Sequence, residues 1–505
     1  MLSCSRRWAA ARRVGKSFCG AVVAVLLVAL PVPAGAAAND ALLRLLEVLR
    51  DRGSISAAEY DAIKVLAERP DEGPAIPPPA PTAPLAAAEP AAQPAVSGES
   101  RKDGAQDTAI ADLTAATAGT PAPVVSRALA GKWYERISLR GYTQFRRQDV
   151  TSEGGPGLEV PADRTVSANE SFGIRRGRFI FSGDVSDRLS LYAQADFNGS
   201  TGAADSALQM RDLYGDIALD ADRTWRIRVG QSKVPYGFVN LQSSQNRAAL
   251  ERPDALNSAV EGERDLGASL MWASTTTRQR FRDLVSQGLK GSGDYGVAAV
   301  GFYSGQGLNR GDQNGDAHLM ARVSYPFKTA GGRFYELGVQ GYRGYFVSPT
   351  QSISSDGSTF TPAQASGGTL DQRLAVTAVI YPQPFGIEAE WTLGTGPELA
   401  SDLRAIESKS LHGGYVQANY RSLNRFGSWF PFVRWNYYDG ARKFARNAPR
   451  NVVNELDFGI EIARWAEVEL TGIYTRTIRR TRTSTFPYAI TRDANRVGLQ
   501  VQWNY

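Results

Sequence analysis

The chain has 505 residues, 43% of them hydrophobic and 21% charged, with a formal net charge of +6. That length predicts more than one region. Beyond the N-terminal segment no apolar run approaches the ~20 residues a membrane helix needs. A helix-bundle membrane protein is therefore excluded, and a soluble chain or a membrane β-barrel remains, because barrel strands hide their apolar face in alternation.

Arg6, Arg7, Arg12, Arg13 and Lys16 precede an apolar run, AVVAVLLVAL, at residues 21–30. Pro31 and Pro33 break it, and small residues follow from Ala34 to Ala38. This is the pattern of a cleaved secretory signal over residues 1–38, with the cut expected near Ala36 to Ala38. Cleavage leaves 52 cations against 51 anions and takes away both cysteines, Cys4 and Cys19. Disulfides, thiol catalysis and cysteine metal sites are then excluded together.

Residues 39–69 read as a short helical hairpin on the periplasmic side. Leu42, Leu43, Leu45, Leu46 and Leu49 form one apolar stripe, and Ser56-Ala57-Ala58-Glu59 opens a second helix as a capping box. Residues 70–130 carry PPPAPTAP and much alanine, the composition of an extended linker that buries no core. Residues 39–130 hold 8 cations and 13 anions.

From residue 131 to 505 short alternating segments recur, separated by Gly, Asn, Asp and Ser. Ile137, Leu139 and Phe145 share a face opposite Ser138, Arg140, Gln144 and Arg146. Leu189, Leu191, Ala193, Ala195 and Phe197 alternate with polar residues, as do Trp225, Ile227 and Val229 with Arg226 and Arg228. Residues 219–223 predict a tight turn. Later, Leu456, Phe458, Ile460 and Ile462 form one run, and Val468, Leu470, Gly472 and Tyr474 another. The chain stops on an alternating strand, with Val497, Leu499, Val501, Trp503 and Tyr505 on one face. Aromatic residues often end the apolar face, as a membrane-interface girdle requires. A sheet in lipid has no water to satisfy its edges, so it must close. The expected fold class is all-β and transmembrane: a closed antiparallel barrel of about 16 strands, each of roughly 10 residues, around an aqueous lumen.

Other chemistries find no constellation. His318 and His412 lie far apart, and His318 follows GDQNGDA, which predicts a surface loop. That acidic run lacks the spacing and closing glutamate of a calcium loop, so turn chemistry is expected. No cofactor, no metal site, no enzyme activity and no nucleic-acid partner are expected.

From about Ile137 onward the sequence resembles the phosphate-selective porin O and P family. The resemblance rests on VGQSKVPYGFVNLQSSQNRAALERPDALN and VEGERDLGASL within residues 229–270, on FGIRRGRFIFSG at residues 172–183, and on the terminal strand, although Tyr505 stands where Phe is usual. It implies a homotrimer of 16-stranded barrels in the outer membrane, in contact with lipid and lipopolysaccharide. It also implies insertion by machinery that reads the C-terminal strand, and a loop between Lys233 and Arg264 that folds inward to select anions. That loop carries Arg247 beside Glu251 and Arg252, and Glu261 beside Glu263 and Arg264.

Small anions are the expected passengers. If Phe179 and Phe181 face lipid, Arg176 and Arg178 face the lumen. The same parity turns Arg140, Arg146, Arg226 and Arg228 inward, and a mid-bilayer cation facing lipid would cost about 2–4 kcal/mol. With Lys233, Arg247, Arg252 and Arg264 these are the anion-pathway candidates. Their competing role is to brace the wall by pairing with acids such as Asp196, Asp216 and Glu251. After residue 130 there are 38 arginines and only six lysines against 38 acids. General anion preference therefore follows more readily than a tight phosphate site. Arg479, Arg480 and Arg482, beside a polar loop, are expected to meet solvent or lipopolysaccharide. The alternative function is a structural barrel whose periplasmic arm tethers the cell wall or a partner.

Overall fold

The computed structural model describes residues 132–505 apart from 154–157, 159, 161–162, 164, 167–171, 200–206, 356 and 483–488. The expected signal, helical hairpin and linker lie outside the described residues.

The wall begins with β1 (Ser138–Glu153), β2 (Phe172–Asp184), β3 (Leu189–Gly199), β4 (Ala207–Ala218), β5 (Trp225–Lys233), β6 (Arg264–Trp272), β7 (Ala298–Tyr303), β8 (His318–Lys328) and β9 (Phe334–Phe346). A small hairpin, β10 (Ile353–Ser355) with β11 (Ser358–Phe360), stands outside it. The wall resumes with β12 (Thr369–Ile380), β13 (Phe385–Leu399), β14 (Ile406–Tyr420), β15 (Ser422–Asn424), β16 (Gly427–Ala441), β17 (Arg450–Trp465), β18 (Val468–Arg482) and β19 (Ala489–Asn504). These form one 17-stranded sheet. β14 and β15 share the partner β16 and act as one stave, so the antiparallel barrel has sixteen staves.

The ring closes where β19 pairs with β1, from Tyr142 opposite Asn504 to Glu153 opposite Asp493. Backbone bonds between Gly141 and Tyr505 finish the seam in both directions, at 2.6 and 3.0 Å. The C-terminal aromatic strand is thus a structural stave and leaves no edge for lipid to desolvate.

Alternation sorts the side chains. On β8, Leu319 and Val323 are 66% and 58% exposed, while Met320, Arg322 and Ser324 between them are buried. β9 and β12 repeat this with Leu337, Val339, Leu374 and Val376 outward. An outward apolar belt of this kind suits hydrocarbon and would be a liability in water. Trp225, Trp272, Phe327, Phe385, Trp429 and Trp465 are exposed near the strand ends that short turns connect, which is one aromatic girdle. The expected turn at residues 219–223 is one of those connections, held by Asp220 accepting from Thr224 and Trp225.

Two connections fold inward. Residues 234–263, between β5 and β6, carry α1 (Phe238–Leu241) and α2 (Asp254–Ala259). Residues 273–297, between β6 and β7 at the short-turn end, carry α3 (Thr275–Ser286). Ser274 caps α3 through Thr277, and Thr277, Arg278, Phe281, Leu284 and Val285 form its buried stripe. The apolar core sits inside the ring on these two segments. Val234, Tyr236, Val239, Leu256, Ala259 and Val260 pack on Tyr303, Met320, Tyr342, Ala375 and Tyr415 of the wall. Phe281, Leu284 and Leu289 pack with Phe238, Phe334, Val379 and Tyr381. The open aqueous lumen expected from strand number is therefore corrected: sixteen staves enclose more space than side chains alone can fill, and these segments occupy much of it.

At the seam a Cβ at Gly141 would collide with the Arg178 carbonyl and the Tyr505 ring, whereas one at Gly472 meets open space. Gly141→Val should destabilise the barrel by about 1–3 kcal/mol. On unheated gels its folded band should disappear at lower temperature, and Gly472→Ala should behave as wild type. Equal behaviour of the two would mean that the seam tolerates crowding.

Candidate functional site

The inward loop is pinned around two carboxylates. Glu251 receives Arg146 at 2.9 Å, Arg175 at 2.8 Å and Arg176 at 2.9 Å. Glu263 receives Arg247 and Arg264, each at 2.5 Å, with Arg252 at 3.4 Å and Lys233 at 3.5 Å. Because Glu251 and Glu263 belong to the loop while Arg146, Arg175, Arg176 and Arg264 belong to the wall, these pairs fix the loop's height and course. Further round the ring Asp254 of α2 takes Arg479 at 2.9 Å, the Leu250 carbonyl takes Arg146, and the Glu251 carbonyl takes Arg434. Burial alone would raise the Glu251 carboxyl. The guanidiniums of Arg175, Arg176 and Arg146 outweigh it and hold the group well below the usual carboxylate range.

All ten sequence-predicted residues point inward. Arg146, Arg176, Arg178, Lys233, Arg247, Arg252 and Arg264 come together at the loop. Arg178 pairs with Asp196 at 3.1 Å and donates to Tyr142 and to Ser244 of the loop. Arg264 also pairs with Asp212 at 2.9 Å. The remaining three are not part of this group. Arg228 forms a fork on Asp216 at 2.7 and 2.8 Å and lies over the Tyr214 ring. Arg226 shares Asp294 with Arg278, bracing the α3 segment against the wall at 2.7 and 2.8 Å. Arg140, half-buried, donates to Ser182 at 2.7 Å and lies 5.9 Å from the Tyr192 ring. Asp196, Asp216 and Glu251, named from sequence as pairing partners, are all engaged.

Sequence reasoning missed several groups. Arg175 and Arg211 enter the lumen through β-bulges. β1 pairs Gln144 with Arg176 and then Phe145 with Ile174, skipping Arg175. β3 pairs Gln194 with Asp212 and then Ala195 with Met210, skipping Arg211. Each extra residue reverses the in–out parity on either side, so two neighbours face the lumen together. Arg479 is also corrected. It is 3% exposed and paired with Asp254 and Glu455, because counting from Tyr474 and Ile478 on the outer face turns it inward. His318 is corrected as well: it is buried against Tyr342, with ring centroids 5.7 Å apart. The acidic run behaves as a turn, with Asp312 accepting from the Asn314 and Gly315 amides.

The opposite wall is acidic. β13 stands across the ring from β3, and it carries buried Glu388 and Glu390 near Glu336 of β9. Glu336 takes Tyr381 and Ser324 at 2.6 Å, with Arg322 at 3.4 Å. Glu388 accepts from Tyr415 and Gln242, and Glu390 from Thr377 and the first amide of α1. Free space survives on the basic side. A cavity of about 460 Å3 includes Arg175, Arg176, Arg211 and Arg252 in its lining. A second, of about 30 Å3, touches Arg178, Lys233, Arg264, Tyr192, Tyr214 and Tyr295.

These features meet their comparison in sequence. The profile of the family described as phosphate-selective porin O and P matches residues 157–440. The chain belongs to that family. It is an outer-membrane channel protein. No curated protein matches the chain in sequence. Among solved structures it is similar to the outer-membrane channel DcaP of Acinetobacter baumannii, at 14% identity and TM-score 0.45 over 73% of this chain and 97% of that one. It is also similar to an anion-selective porin from Comamonas acidovorans, at 10% identity and TM-score 0.43 over 73% of this chain and 99% of that one.

Glu251→Gln removes the charge that three arginines share. Breaking a buried cluster of this kind should cost about 3–5 kcal/mol at neutral pH. Since the folded carboxyl is held low, its contribution is complete above the unfolded value of about 4.3 and fades as pH falls below it. Urea unfolding of wild type and variant should therefore differ at pH 7 and converge under acid. A gap independent of pH would assign the effect to packing.

Proposed function

We propose that this channel passes small anions, and that they follow the basic wall beside the inward loop. The carrying observation is the charge balance there. Among the described residues, Arg146, Arg175, Arg176, Arg178, Arg211, Lys233, Arg247, Arg252 and Arg264 are ion-paired with five acids, Asp163, Asp196, Asp212, Glu251 and Glu263, and Asp254 and Glu261 also line the larger cavity. Pairing braces the loop, but the surplus of cations leaves a positive strip. An anion losing part of its water shell there gains fixed charge in exchange, with no single site deep enough to trap it.

The smaller cavity, of about 30 Å3, has room for about two waters. Phosphate and other oxyanions fit the guanidinium forks in chemistry. The family reading further supports a homotrimer embedded in lipid and lipopolysaccharide, inserted through its C-terminal strand, with residues 39–130 as a periplasmic arm.

The test is the reversal potential of the purified protein in a planar bilayer under a potassium chloride gradient. We expect chloride to be favoured, and Arg178→Gln to reduce the preference several-fold. At an effective dielectric of about 20, one charge acting over ~8 Å is worth ~2 kcal/mol before screening. A cation-favouring potential in the wild type would overturn the reading.

A further inference from the structure

The larger cavity of the basic wall has two chemically different sides. On one, the β4 bulge sends Arg211 and Asp212 inward together. Asp212 is taken by Arg264. Arg211 is left with the Gly262 carbonyl at 3.0 Å and with Asp196 at 3.8 Å, beyond hydrogen-bond range. Its Nε is buried and has no hydrogen-bond partner among the described residues. The neighbouring carboxylates are already engaged: Asp196 by Arg178, Glu251 by three arginines, and Glu263 by Arg247 and Arg264.

On the other side are Leu308 and Phe444. Gly262 joins the two. Its carbonyl holds Arg211, and its α-carbon faces Leu308 closely enough that a Cβ would touch it at 3.0 Å. Phe444 is fixed edge-on against Phe346, centroids 4.9 Å apart, with Arg310 over its ring at 5.5 Å. A guanidinium that no described carboxylate reaches within hydrogen-bond range therefore shares the lining of a volume of about 460 Å3 with an apolar patch.

We propose that this cavity is a binding station for organic monocarboxylates with an apolar or aromatic body. The carboxylate takes the Arg211 guanidinium, and the body lies on Leu308 and Phe444. An arginine fork matches the two oxygens of a carboxylate. A phosphate dianion fits less well. It needs several converging donors, whereas Arg175, Arg176, Arg252 and Arg310 of the lining are already paired with protein carboxylates. The acids in the lining also repel its second charge more than they repel a monoanion. The station rests on the anion-channel reading and adds the class of solute held in this cavity.

The experiment uses the full chain in planar bilayers, with benzoate, acetate or inorganic phosphate added on both sides of a symmetrical chloride solution. Benzoate should halve the chloride current at a concentration about tenfold lower than acetate or phosphate, a difference of ~1.4 kcal/mol. Arg211→Ala should abolish the benzoate block. Arg211→Lys, which keeps the charge but loses the planar fork, should weaken it while the folded barrel persists on unheated gels. Phe444→Ala should bring benzoate close to acetate. Equal block by benzoate and acetate, stronger block by phosphate, or a block that survives Arg211→Ala would overturn the station. Those results with an anion-favouring reversal potential would sink the station alone. A cation-favouring potential would sink the channel reading beneath it.

Discussion

Lipid offers no partner for a backbone amide or carbonyl, and most of this architecture follows from that. Every stave must bond to two neighbours, so the sheet closes at β1 and β19 and the last residue, Tyr505, is bonded back to Gly141. Closure makes the two faces of each strand unequal. Outward positions take Leu, Val, Phe and Trp, while inward positions take Arg, Glu, Gln and Thr without meeting hydrocarbon. The polar interior is thus a consequence of the membrane exterior, and it supplies the charges from which a filter can be built.

A ring of sixteen staves is too wide for wall side chains to fill. The inward loop and the α3 segment fill it from opposite ends, and each is secured by ions as well as apolar contacts. Buried ion pairs add little net stability, because desolvation offsets much of their attraction. Their effect here is geometric. Glu251 and Glu263 each bind several cations that sit on different strands, so moving the loop breaks several pairs at once. Asp254 with Arg479, and Asp294 with Arg226 and Arg278, extend the same principle round the ring and to the short-turn end.

Much of this was legible in the sequence, because strand parity is a strict rule in a barrel. Phe179 and Phe181 facing lipid suffice to place Arg178 inward, and Trp225, Ile227 and Val229 do the same for Arg226 and Arg228. The pore loop could be placed between Lys233 and Arg264 by resemblance. The failures are equally physical. A bulge inserts one residue and resets parity without leaving a composition signal, so Arg175 and Arg211 were missed although their strands were found. Arg479 was readable from Tyr474 and Ile478, but its neighbours Arg480 and Arg482 made the segment look like a loop edge. His318 looked exposed because the polar run before it is a loop; the histidine itself begins β8 and turns inward against Tyr342. The filled lumen was not legible at all, since α3 occupies a connection where short turns are the rule.

The two bulges also show how one wall can both brace and select. In regular alternation an inward cation can face an inward acid of the neighbouring strand, as Arg228 faces Asp216, and such a pair is neutral. Adding a residue to β2 and to β4 contributes two cations with no matching insertion on the partner strands. The surplus charge of the basic strip is therefore a product of backbone irregularity as much as of composition. Across the lumen, Glu388 and Glu390 are satisfied by hydroxyls, an amide side chain and a backbone amide, and Glu336 by two hydroxyls and Arg322. The basic strip therefore lies along one side of the passage. It orders a solute that carries charge at one end and an apolar body at the other more strongly than it orders a spherical ion.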